Sequence, residues 1–122
     1  MPFEYHCRPG YGSQELLIEF PTGVEQSDFY TILSEALSPL QPALLQLSGL
    51  WMQDDVTREM DSLQGRFDIH QDIWEMVFIM ANDNQRAILA IDELLQQDAR
   101  FKKVAVDFSL YTLPPQTPST PQ

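Results

Sequence analysis

Four short apolar runs punctuate this chain, and each is separated from the next by a stretch long enough for a helix. They are Leu16-Leu17-Ile18-Glu19-Phe20, Ala43-Leu44-Leu45-Gln46-Leu47, Met76-Val77-Phe78-Ile79-Met80 and Val104-Ala105-Val106-Asp107-Phe108. Runs of this length suit buried strands. Alternation with helical stretches suits parallel pairing, because parallel neighbours need a long crossover. The pattern predicts an α/β fold: one small domain with a mostly parallel or mixed sheet of about four or five strands and about three helices. An α+β ferredoxin-like sandwich is the alternative.

The chain has 122 residues, enough for one domain with a modest core, and 43% of them are hydrophobic. No apolar run approaches the roughly 18 residues of a membrane span. Met1-Pro2-Phe3-Glu4-Tyr5-His6 lacks the basic and apolar regions of a signal peptide. The cytoplasm is therefore the expected compartment. The single cysteine, Cys7, has no internal disulfide partner and excludes cysteine-rich zinc sites. Lys and Arg number 7 against 18 Asp and Glu, a formal net charge of -11. Such a surface repels nucleic acid and anionic membranes and attracts basic partners.

Phe3 to Cys7 reads as a strand and Arg8 to Gly12 as a turn. Gln14 to Phe20 is the returning strand of a hairpin. Thr22 to Glu25 fits a capping box, with Ser27 as a second possible cap. Phe29, Ile32, Leu33, Ala36 and Leu37 make one helical face that Pro39 and Pro42 terminate. A strand follows from Ala43 to about Leu50. Val56, Met60 and Leu63 recur at helical spacing, with Gly65 as a C-cap, so a helix or two is expected within 54–73. From Phe67 two periods fit: Phe67, Ile69 and Ile73 suit a strand, whereas Phe67, His70, Ile73, Trp74 and Val77 suit a helix. A buried strand is expected at 75–81, with Trp74 to Met80 in the core. Asn82 and Gln85 open the last helix, whose stripe is Ile88, Ile91, Leu94 and Leu95. Val104 to Phe108 is the expected last strand. Residues 1–113 form the expected globular domain. Residues 114–122, with four prolines in nine positions, form an expected disordered tail.

The segment Leu45-Gln46-Leu47-Ser48-Gly49-Leu50-Trp51-Met52-Gln53-Asp54 resembles the Leu-Asp-Leu-Ser-Gly strand end of the STAS domain, the module of anti-sigma-factor antagonists and sulphate-transporter tails. The predicted order of elements resembles that family over most of residues 3–108. The resemblance implies a regulatory, protein-binding module. In that family a serine in an Asp-Ser-Ser-Gly turn is phosphorylated. Here the corresponding residues are Asp54-Asp55-Val56-Thr57, so Val56 stands at the phosphorylated position and Thr57 lies one position later. The usual phospho-serine switch is not expected.

No phosphate loop, dinucleotide fingerprint, nucleophile elbow or metalloprotease motif occurs, and no cofactor is called for. Asp68-Ile69-His70-Gln71-Asp72 has the most metal-like spacing: on a strand its three polar side chains would share a face. A solvated polar face is the simpler reading. His6 and Cys7 point opposite ways on a strand, and Cys7 reads as an ordinary small core residue. Asp54, Asp55, Glu59 and Asp61 read as an acidic helix start.

In a mostly parallel sheet, partners gather at the carboxyl ends of strands. The expectation is a non-enzymatic regulatory or adaptor protein of bacterial type that binds another protein, basic in character, through Trp51, Asp54, Asp55 and Thr57. The alternative is an acidic inhibitor or immunity-like protein that blocks a basic nuclease or nucleic-acid-binding site.

Overall fold

Period-two burial organises the N-terminal hairpin. Strand β1 (Phe3–Pro9) turns Phe3, Tyr5 and Cys7 inward and leaves Glu4 in solvent; strand β2 (Leu16–Phe20) buries Ile18 and Phe20 against them. The computed structural model describes residues 2–10, 14–22, 28–49 and 55–111, with residues 110 and 111 described by their backbone alone. Helix α1 (Phe29–Ala36) follows, then a 3-10 turn at Ser38–Leu40 and strand β3 (Ala43–Ser48). Strands β4 (Val56–Asp61), β5 (Phe67–Gln71) and β6 (Val77–Met80) come next, then helix α2 (Gln85–Gln96) and strand β7 (Phe101–Lys103).

The seven strands make one mixed sheet in the order β3-β4-β5-β6-β2-β1-β7. Among the described residues only β1 and β7 pair in parallel, with Phe3 opposite Phe101; the other neighbours are antiparallel. Both helices lie on one face. Phe29, Leu33, Ala36 and Leu37 share a core with Ala87, Ile88, Ile91 and Leu95, over Tyr5, Ile18, Phe20, Ile69, Val77 and Ile79. Aromatic rings fill its centre: Phe29 meets Phe3 and Phe20 edge-on at 5.1 Å each. Beside them the Tyr5 hydroxyl donates to Asp92 Oδ1 at 2.8 Å, and Lys103 Nζ reaches Asp92 Oδ2 at 2.8 Å. One buried carboxylate thus ties β1, α2 and β7. No helix among the described residues is long and apolar enough to cross a membrane.

Three expectations need correction. A helix or two was expected within 54–73, but residues 55–73, the described part of that stretch, are not helical. They form β4 and β5, an antiparallel hairpin that runs from Val56 opposite Gln71 to Met60 opposite Phe67. This accounts for seven strands and two helices among the described residues, in place of four or five and about three. The period-two signal of β4 was hidden because a charged side chain, Arg58, occupies an inward position between Val56 and Met60. Gly65 caps no helix. It adopts φ +95° in the β4–β5 turn, where its N–H donates to Ser62 O at 2.9 Å. The last strand comes earlier than expected, at Phe101–Lys103, because Phe101 completes the aromatic core beside Phe3 and Phe20. The apolar run after it adds one backbone bond, Val104 N–H to Tyr5 O, and ends in a 3-10 turn at Phe108–Tyr111. The capping box expected at 22–25, Ser27 and the tail at 114–122 fall wholly or largely outside the described residues. Asp28 caps α1 without a side-chain hydrogen bond.

Candidate functional site at the open sheet edge

The two edges of the sheet are built differently. Edge strands expose unpaired N–H and C=O groups, and proteins blunt them with brevity, lysines, proline or a bulge. Strand β7 follows that rule: it is three residues long, and Lys102 and Lys103 are exposed. Strand β3 follows it poorly. It has six residues, none charged, and pairs with β4 alone among the described residues. Leu44, Leu45 and Leu47 are 54%, 47% and 37% exposed. Pro42 precedes the strand and an irregularity between Leu44 and Gln46 shifts its register, and these are its modest protections.

At one end of this edge the chain turns from β3 into β4. Gly49 has φ +83°, and an added Cβ there would collide with the Asp55 carbonyl, so glycine closes the base of the loop. Asp55 is exposed just before β4. Thr57 sits opposite Ser48 and His70, and its Oγ1 lies 2.8 Å from His70 Nδ1. Trp51 and Asp54 lie outside the described residues. Of the four expected partner-binding residues, the structure therefore places Asp55 and Thr57 at one corner, with Thr57 engaged by His70. The β5–β6 turn lies at the same end, because Gln71 is opposite Val56. Its tip carries Ile73 and Trp74, the latter 75% exposed. Trp74 is thus a surface residue and not part of the expected core. Val77 and Ile79 are buried as expected, while Phe78 and Met80 are half-buried on the opposite face.

The sheet face away from the helices is mostly polar. His70, Thr57, Asp68 and Glu59 lie on it, as do Glu19, His6 and Arg8. Arg8 donates from Nε to Glu19 Oε1 at 3.0 Å and from Nη2 to Oε2 at 3.2 Å, and His6 Nδ1 lies 3.1 Å from Oε1. Burial alone would raise the Glu19 carboxyl, but these hydrogen bonds and the charges of Arg8 and His6 hold it below the usual carboxylate value. Glu59 stands directly opposite Asp68, a like-charge cross-strand pair that costs stability. Asp68 and Glu15 line an open groove of about 320 Å³ with Leu17, Met80 and Asn82.

Asp68, His70 and Asp72 do not converge. Asp72 Oδ1 instead accepts from the Trp74 and Met76 amides at 2.9 and 3.0 Å and shapes the turn. No group of three or more His, Cys, Asp or Glu side chains suited to a metal ion occurs among the described residues. Thr57 and His70 are within nucleophile–base distance, yet no described carboxylate hydrogen-bonds the other ring nitrogen to orient it. Burial, and the Asp92 charge beside it, push the Cys7 thiol up to about 11.

Sequence reasoning missed the exposed leucines because an uncharged run of strand length reads equally well as a buried central strand. The absence of charge in Ala43–Ser48 was the available signal, and only its place at the edge gives it meaning. No family model, curated protein or solved structure matches this chain.

Proposed function

We propose that this chain is a non-enzymatic regulatory or adaptor protein of the cytoplasm that binds a basic partner protein, which adds a strand to β3. The observation that carries the reading is the long, uncharged edge strand with Leu44, Leu45 and Leu47 in solvent. Backbone hydrogen bonds give such an added strand its affinity, and alternate side chains give it specificity. Charge supports a basic partner. Asp55 precedes β4, Asp61 is opposite Ala43, Glu59 lies between them, and the chain carries -11 overall. A second copy would bring the same negative charge to the same edge. Trp74 and Ile73 supply an apolar anchor at the corner of a kind enriched in binding hot spots. The reading requires no phosphoacceptor, in keeping with Val56 at the position where the STAS resemblance would place the serine.

The test is affinity capture from the native host, identification of the captured proteins, and titration of the purified partner. A basic partner whose affinity falls at least about tenfold with Leu45→Lys and weakens with added salt supports the reading. Exposed Leu89, on the outer side of α2, provides the control Leu89→Lys, which should bind normally. Equal binding by both variants overturns the β3 site, and a salt-insensitive homodimer in the ultracentrifuge overturns the basic partner.

A second reading, an acidic inhibitor of a basic nuclease or nucleic-acid-binding site, draws support from the Glu59–Asp68 pair on the uncovered face. It requires that Glu59→Gln with Asp68→Asn release the partner's activity while Leu45→Lys does not. The reverse pattern removes it.

A further inference from the structure

Strand β3 offers different chemistry on its two faces. Side chains directly opposite each other in a ladder share a face. Leu44 is opposite Met60 and Leu47 is opposite Arg58. Met60 packs against the core, and the Arg58 guanidinium carbon lies 4.2 Å from the centroid of the Tyr30 ring on α1. Leu44 and Leu47 therefore extend the helix side of the sheet, where both stand exposed. On the other face Ala43 is opposite Asp61, Gln46 opposite Glu59 and Ser48 opposite Thr57. Leu45 is the extra residue at the register shift and stands outside both rows.

The outer row carries negative charge with little to offset it. Among the described residues Glu59 and Asp61 take part in no ion pair. Arg58 is turned to the helix side, and Arg66, exposed in the β4–β5 turn, pairs with neither carboxylate. Glu59 also faces Asp68 across the β4–β5 ladder, a like-charge contact that a nearby cation relieves. Between this charge and the open edge stand only Ala43, Gln46 and Ser48, all uncharged. A strand added to β3 lies two strand spacings, about 10 Å, from β4. A lysine on its outer face crosses Gln46 on its flexible stem, and the Glu59 side chain reaches back toward it. On the helix side the same strand meets Leu44 and Leu47, and the positive charge of Arg58 behind Leu47 repels a second cation.

We infer that the partner segment taken up by β3 is an amphipathic strand of period two: Lys or Arg on the face shared with Gln46 and Glu59, and Val, Ile or Leu on the face shared with Leu44 and Leu47. The inference rests on the strand addition proposed above and specifies the pattern that the added strand carries. A one-residue slip sets its cations against Leu44, Leu47 and Arg58, so the two faces of the edge also fix which way up the strand lies.

The test is NMR titration of the full chain with three capped octapeptides, at matched pH and ionic strength. The first alternates lysine with valine, the second has the same composition in two blocks, and the third alternates glutamine with valine. Hydrogen exchange of the β3 amides reports strand addition, and the Leu47 methyl groups report the helix-side face. The alternating lysine peptide should protect the β3 amides and bind at least about tenfold more tightly than the block peptide of equal charge. Glu59→Gln should shrink its advantage over the glutamine peptide by about two- to fivefold, the range of a single exposed ion pair. That variant relieves the repulsion from Asp68, so its folding is not at risk. Leu47→Thr should weaken both alternating peptides and leave the preference for lysine unchanged. Equal protection of β3 by the alternating and block peptides overturns the pattern and leaves strand addition standing. A lysine preference untouched by Glu59→Gln overturns the assignment of the outer face. Absence of β3 protection with every peptide overturns strand addition itself, and the inference with it.

Discussion

Single residues in this protein do work that their neighbours in space define. Cys7 is 7% exposed, and its thiol is pushed up to about 11 by burial and by Asp92. The thiolate is the reactive form. Cys7 should therefore resist alkylation in the native chain at neutral pH and react at the rate of a free thiol in denaturant; rapid native labelling would show that it is accessible. Glu19 behaves in the opposite sense. Its folded carboxyl lies below the ordinary value of about 4.3 because Arg8 and His6 hold the ionised form. The stability this contributes is present above about pH 4.3 and is lost as the pH falls through the folded value. Glu19→Gln should lower the urea midpoint at pH 7 and flatten its decline in acid. A variant with the same acid profile as the native chain would place the acid-sensitive group elsewhere.

At the level of elements, the β4–β5 turn shows how one glycine can be read two ways. A positive φ serves a helix C-cap and a hairpin turn equally, so Gly65 alone could not tell them apart. In the structure an added Cβ at Gly65 would lie 2.8 Å from Asn84 Nδ2, the atom that donates to Gln64 O at 2.9 Å and Arg66 O at 3.0 Å. Gly65→Ala should therefore cost about 1–3 kcal/mol by urea unfolding, combining backbone strain with a disturbed clamp. A neutral result would mean that the Asn84 side chain moves away freely. Gln85 makes a comparable link, accepting from Leu16 N–H at 2.7 Å and donating to Leu16 O at 3.2 Å. The sequence marked it only as part of a cap. Both links join residues far apart in the chain, and no local pattern reports them.

Across the whole molecule, order should fall from the centre of the sheet toward β3. Ile18, Phe20, Val77 and Ile79 are fully buried under both helices, whereas β3 leaves its leucines in solvent and half its backbone unpaired. Native-state hydrogen exchange should be slowest for β2 and β6 and near the unprotected rate for the outward amides of β3. Protection of those amides in the isolated chain would mean that the edge is already covered, either by another copy or by another part of the chain. Much of this architecture was legible beforehand. The hairpin of β1 and β2, the helices around Phe29–Ala36 and Gln85–Gln96, and the strands at Ala43–Ser48 and Val77–Met80 follow from apolar periodicity, which is a local property. Periodicity failed where an inward position carried charge, at Arg58, and where a buried ring outweighed a longer apolar run, at Phe101. The position of β3 in the sheet was not legible at all. An uncharged strand has the same local composition whether it has one neighbour or two, and pairing is decided by how the whole chain closes its core. Sequence by itself therefore determined which segments are apolar and how acidic the surface is. Only the tertiary structure decided which apolar strand remains at the surface, and that Arg58 is half-buried against the Tyr30 ring.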